Sequence, residues 1–172
     1  MEIFEQASWC VANVAADCPK FKNLLIESGV IQPLAARLVT QTPDVKMTKQ
    51  IVWALANVCR GKHNTYDPYI FAAPAFIRAL VVQDDIEILA DALMGLADIC
   101  NESLVKTICE SPLLNKLKEI SVHRFKSILI PLLRILAYVT NGDDRQTQVR
   151  FLVVNNQRRL LIPGFWICFT IC

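Results

Sequence analysis

Apolar side chains recur at helical spacing along most of this chain, and the pattern itself repeats. With Trp9, Trp53, Met94 and Arg134 as anchors, the steps are 44, 41 and 40 residues, close to the ~40 to 47 of helical repeat units. Two residues before the anchors stand Ala7, Ile51, Ala92 and Leu132; two after, Val11, Leu55, Leu96 and Leu136; five after, Val14, Val58, Ile99 and Val139. Offsets of four and three place these on one helix face, which predicts four equivalent long helices over about 2–15, 44–60, 84–101 and 125–140. Three residues after each anchor comes alanine, at Ala12, Ala56, Ala97 and Ala137, a size suited to helices that approach too closely for anything larger.

Shorter helices lie between these, marked by their punctuation: Pro19 at a helix start, Gly29 as a stop, Pro33 near the start of 30–40, Pro74 opening 75–82 and Pro112 opening 113–122. No sustained strand alternation occurs before residue 150. Two shorter helices and one longer helix per repeat is the armadillo arrangement. The expectation is therefore an all-α, right-handed superhelical solenoid over 1–149, with about three complete repeats and partial terminal ones. Residues 150–172 are expected to form a divergent hydrophobic tail outside the repeat.

The anchors themselves face away from the buried stripe. At about 100° per residue the apolar positions fall opposite the anchor, while the residue four later lies beside it. Trp9 with Asn13, and Trp53 with Asn57, are thus expected on an exposed face as rungs of a ladder. A carboxamide offers both donor and acceptor to a peptide backbone of any sequence, and an indole holds the stem or cation of a long basic side chain. Helices packed about 8 to 10 Å apart match roughly three residues of extended chain, so successive rungs can grip one segment. Asp17, eight residues after Trp9, and Asp98, in the asparagine position of the third copy, are candidate partners for lysine. A second reading stays open for the asparagines, which can cap or bridge neighbouring helices. Asp17 reads equally as a turn or N-cap residue before Cys18-Pro19.

The segments Glu5-Gln6-Ala7-Ser8-Trp9-Cys10-Val11-Ala12-Asn13-Val14-Ala15-Ala16-Asp17, Trp53-Ala54-Leu55-Ala56-Asn57-Val58-Cys59-Arg60-Gly61-Lys62 and Gly142-Asp143-Asp144-Arg145-Gln146-Thr147-Gln148-Val149 resemble importin-α (karyopherin-α), the armadillo adaptor of nuclear import. The likeness runs in order over 5–149. It implies an adaptor of cytoplasm and nucleus whose concave groove binds Lys/Arg-rich nuclear localization signals. On that resemblance Trp9, Asn13, Trp53 and Asn57 are groove rungs, Asp17 partners the key lysine of the signal, and Arg60 bounds the major site. The chain departs from the family at Met94 (Trp), Asp98 (Tyr) and Tyr138, which replaces the Asn after Arg134, so rungs three and four are altered. It starts inside the third helix of one repeat without the family's basic N-terminal arm, and importin-β is accordingly not an expected partner.

Composition narrows the alternatives. The chain is 53% hydrophobic and 20% charged with 5 Gly, as for a folded protein of long regular elements. Its net charge is only +2, and Arg150, Arg158 and Arg159 lie beyond residue 149, so no nucleic-acid stripe is indicated. No apolar run reaches the roughly 18 residues of a membrane helix. Seven cysteines without a repeated C-x-x-C predict reduced thiols. Only His63 and His123 exist, no phosphate loop or zinc spacing occurs, and neither an enzyme nor a cofactor is expected. Cys59 near His63 reads as a packing residue, and Asp84-Asp85-Ile86-Glu87 as an acidic first helical turn. The apolar FLVV and LLIPGFWICFTIC stretches of the tail either cover the last repeat or promote association. Besides signal binding, a generic armadillo scaffold and a non-functional fragment remain as readings.

Overall fold

The computed structural model describes residues 3–41, 43–61 and 68–140. Within them run α1 (Ile3–Asp17), α2 (Pro19–Glu27), α3 (Ile31–Thr40), α4 (Val45–Val58), a short 3-10 helix (Pro68–Phe71), α5 (Ala72–Val82), α6 (Ile86–Asp98), α7 (Glu102–Glu110), α8 (Leu113–Ile120) and α9 (Lys126–Thr140). No strand occurs among the described residues. The four long helices α1, α4, α6 and α9 pack in sequence order, each on the next, into one layer. A second layer runs α3, α5, α8, and the short helices connect the two. The repeating unit is therefore short, short, long, with α1 standing as a lone long helix ahead of three such units.

Local chemistry sets most of the boundaries. The Asp44 carboxylate caps α4 by accepting from Met47 N at 2.8 Å. Asp85 caps α6 through Glu87 N at 3.0 Å and Ile88 N at 3.3 Å, and Asn101 caps α7 through Leu104 N at 2.9 Å. Pro19 opens α2, where its missing N–H costs nothing. Gly29, at φ 76°, takes the left-handed conformation that turns the chain from α2 into α3. The acidic run 84–87 is thus the start of a helix, as its sequence implied.

The buried core follows the predicted stripe in the central units. Ile51, Leu55, Val58, Ala92, Leu96, Ile99, Leu132, Leu136 and Val139 are all buried. On α1 the stripe fails: Ala7 and Val14 are exposed and Val11 is only half-buried, because α1 packs through Ser8, Ala12 and Ala15 onto α4 and no described element covers its other side. Ala12, Ala56 and Ala97 are buried as expected, but Ala137 is exposed. The second unit also departs from plan, since a single 3-10 turn stands where a first short helix would be. The motif 142–149, His63 and the tail 150–172 lie outside the described residues.

Candidate peptide-binding groove

The helical phase that buries Ile51, Leu55 and Val58 turns the opposite face of α4 outward, and the same holds for α1 and α6. Between these neighbours lie two hollows. The first, about 310 Å³, is lined by Glu5, Gln6, Trp9, Lys46 and Gln50, from α1 and α4. The second, about 390 Å³, is lined by Trp53, Lys49, Gln50, Glu87, Asp91 and Ser127, among others, from α4, α6 and α9. One indole stands in each. Trp9 is 53% exposed and Trp53 half-buried, so neither is sealed in the core.

The asparagines do not behave alike. Asn13 is exposed, and its Nδ2 donates to Trp9 O at 2.8 Å, one turn back on its own helix. Asn57 was expected to stand exposed, yet it is only 2% exposed and its Nδ2 donates to Ala12 O of α1 at 3.1 Å. The small alanine column lets α1 and α4 approach closely enough for the carboxamide to bridge them. Its Oδ1 remains buried without a hydrogen-bond partner, as does Gln50 Oε1. Leaving such an acceptor unpaired in the interior carries a desolvation cost.

Two carboxylates on the helices that flank the hollows, Asp17 and Asp91, make no salt bridge among the described residues. Asp17 is the exposed last residue of α1, and the N-cap of α2 is Cys18, which makes no side-chain cap; the capping role open to Asp17 is therefore not used. Asp91 lies in the second hollow beside Trp53. Burial pushes its carboxyl above the usual value of 3.8, with Arg60 pulling the other way and Glu87 adding to the rise. The sequence does carry a signal for Asp91: the residues three before the first three anchors are Gln6, Gln50 and Asp91, a polar column that shares the anchor's face and ends at Pro131 in the fourth copy.

Residues 18–60 match the Armadillo/beta-catenin-like repeat family. Importin subunit alpha-1b of Oryza sativa subsp. japonica is 35% identical over 150 residues, which cover 86% of this chain and 28% of that protein. Importin subunit alpha-8 of Arabidopsis thaliana is 31% identical over 147 residues, 84% of this chain and 32% of that protein. The chain is importin-α-like and built of armadillo repeats. It spans less than a third of the length of these curated relatives. Among solved structures, a computationally designed armadillo repeat protein for modular peptide recognition superimposes with a TM-score of 0.76 at 20% identity, over 94% of this chain and 69% of that one. A designed armadillo repeat protein in complex with the peptide (KR)4 gives 0.73 at 20% identity, over 94% and 69%. At that identity the two establish the fold.

In this importin-α-like solenoid the third and fourth rungs are joined to each other. Arg134 Nη2 of α9 lies 2.6 Å from Asp98 Oδ1 of α6, and Arg134 Nη1 lies 3.6 Å from Met94 Sδ. Gly61 N donates to Asp98 Oδ2 at 3.3 Å. With 7% of its side chain exposed, Asp98 is no open partner for a ligand lysine, and Arg134 is committed to it. The expectation that Asp98 partners a ligand lysine and that Arg134 is a peptide-binding residue of the fourth rung is corrected: the two lie 36 residues apart in sequence, meet across adjacent helices and neutralise one another. Arg60, just beyond α4, is exposed, and its carbonyl accepts from Lys22 Nζ at 2.6 Å. Cys59 is fully buried; burial, with the Asp98 carboxylate adding, pushes its thiol far up, so it packs rather than reacts. No group of three or more His, Cys, Asp or Glu among the described residues could hold a metal. No helix among them is long and apolar enough to cross a membrane. A further hollow of about 730 Å³ lies away from the anchors, where Val39, Tyr69, Ile77, Val81 and Leu104 of α3, α5, α7 and the 3-10 helix give an apolar lining without a charged cluster.

Proposed function

We propose that this chain binds a Lys/Arg-rich nuclear localization signal as an extended segment laid across α1, α4 and α6, as a non-enzymatic importin-α-like adaptor working between cytoplasm and nucleus. One observation carries the reading: each indole stands in a hollow between consecutive long helices, with the unpaired carboxylates Asp17 and Asp91 on the helices that form the groove. The indole takes the methylene stem of a basic side chain, and a carboxylate takes its cation. Gln50, whose side chain lines both hollows, offers its amide to the peptide backbone. Asn13 and Trp9 form the first rung, Asn57 and Trp53 the second, and Arg60 limits the site beyond α4. The likeness to importin-α subunits supports the choice of cargo, and the designed relative with a (KR)4 peptide supports the compatibility of this architecture with basic chains. Importin-β is not among the proposed partners.

Titration of a fluorescent lysine-rich signal peptide tests this. Trp53→Ala, Asp17→Ala and Asn57→Ala are each expected to weaken binding by roughly 1 to 3 kcal/mol. Unchanged affinity in all three would leave the generic scaffold instead.

A further inference from the structure

The first hollow already holds a lysine. Lys46 Nζ of α4 lies 2.8 Å from Glu5 Oε1 of α1, and both side chains line the wall beside Trp9. The two partners differ in freedom. Glu5 has 11% of its side chain exposed and is held in the wall, whereas Lys46 has 67% exposed and reaches in from solvent on a flexible stem. The neighbouring pair is built differently: Lys49, 32% exposed, sits between Asp85 and Glu87 at 2.9 and 2.8 Å and ties α4 to the first turn of α6. Among the described residues Lys46 bridges one acid, with the Asp44 carboxylate a weaker second charge, and Glu5 lines the space a ligand side chain would fill.

We propose that Lys46 is a built-in competitor: it stands in for a basic ligand side chain on Glu5 while the groove is empty, and an arriving lysine or arginine displaces it to pair with Glu5 beside Trp9. The inference rests on the peptide-binding reading above and adds Glu5 as a binding residue and Lys46 as a gate on affinity. The geometry supports displacement because the acid is fixed and the base is free to swing out. Exchanging one ammonium for another at Glu5 is nearly even, because the largely buried carboxylate keeps an ion partner either way. The gain to the ligand then comes from the indole, and the cost of evicting Lys46 filters out peptides with isolated basic residues.

Lys46→Gln keeps most of the stem and removes the charge. At about 0.15 M salt it is expected to tighten binding of the lysine-rich peptide by about two- to fivefold. Lys106→Gln, on α7 and lining neither hollow, is the control for net charge and is expected to leave affinity unchanged. Adding Glu5→Gln to Lys46→Gln should erase the gain. If the wild-type chain binds and Trp53→Ala weakens it, but Lys46→Gln matches the control or binds less tightly, the competitor is refuted and the groove stands. If no variant binds the peptide, Lys46→Gln included, both fall.

Discussion

Residues of the same type in the same repeat position do different work here, and their neighbours decide which. Asn13 and Asn57 both follow a tryptophan by one turn, but only Asn57 has a helix close enough on that side to receive its amide proton. Its donor is occupied and its acceptor is sealed from solvent, so it holds α1 against α4. Asp91 carries a cost in the empty groove. Its carboxyl is raised mainly by burial, which means the charged form is disfavoured in the folded state, and the destabilisation is present above the raised value and relieved as pH falls through it. Asp91→Asn is therefore expected to raise the thermal midpoint while weakening binding of the basic peptide, a trade between stability and function. Peptide affinity should rise with pH through the range just above 3.8, and Asp91→Asn should flatten that rise. A midpoint that falls in the variant, or an unaltered pH profile, would contradict this account. Asp91 is legible in the polar column before the anchors; its burial is not, because that depends on the walls α4 and α6 form around it.

At the scale of elements, the long helices carry two faces with different demands. Their buried faces read directly from spacing, since apolar residues four and three apart leave no other arrangement. Their ends read from capping: Asp44, Asp85 and Asn101 start helices because a short polar side chain accepts from the first free N–H groups. The separation of the layers is finer work. The tip of the Phe76 ring of α5, Cζ with Cε1 and Cε2, crowds the position where a Cβ on Gly95 of α6 would stand. Gly95→Ala gains helix propensity of up to ~1 kcal/mol but forces a fully buried ring to move, and overpacking of this kind costs about 1 to 3 kcal/mol. A net loss of about 1 to 2 kcal/mol is expected in chemical denaturation. Equal or greater stability would mean that the α5–α6 gap has slack. Elements less tightly specified strayed from the sequence reading: Ala7 and Val14 belong to the apolar column yet stay exposed, because periodicity reports a face and not whether anything covers it.

Across the whole molecule, the groove is open at α1, α4 and α6 and closed where α6 meets α9. The Arg134–Asp98 pair caps the row of rungs, with Gly61 N holding the second carboxylate oxygen. Arg134→Ala should free Asp98 as an additional acid. A longer basic peptide is then expected to bind more tightly to that variant than to the wild type, while a short one spanning only the two indoles is unaffected; equal gains for both would show a general charge effect instead. The fold class, the repeat and the outward direction of Trp9 were determined by sequence alone, because a helix of known pitch converts spacing into direction without reference to anything distant; Trp53, expected on the same exposed face, is half-buried against the core. Tertiary structure decided which outward groups are free. Asp98 and Arg134, Lys46 and Glu5, and Asn57 and Ala12 lie tens of residues apart, and whether such groups meet depends on how one helix is set against the next, a distance of a few ångströms that no local pattern encodes.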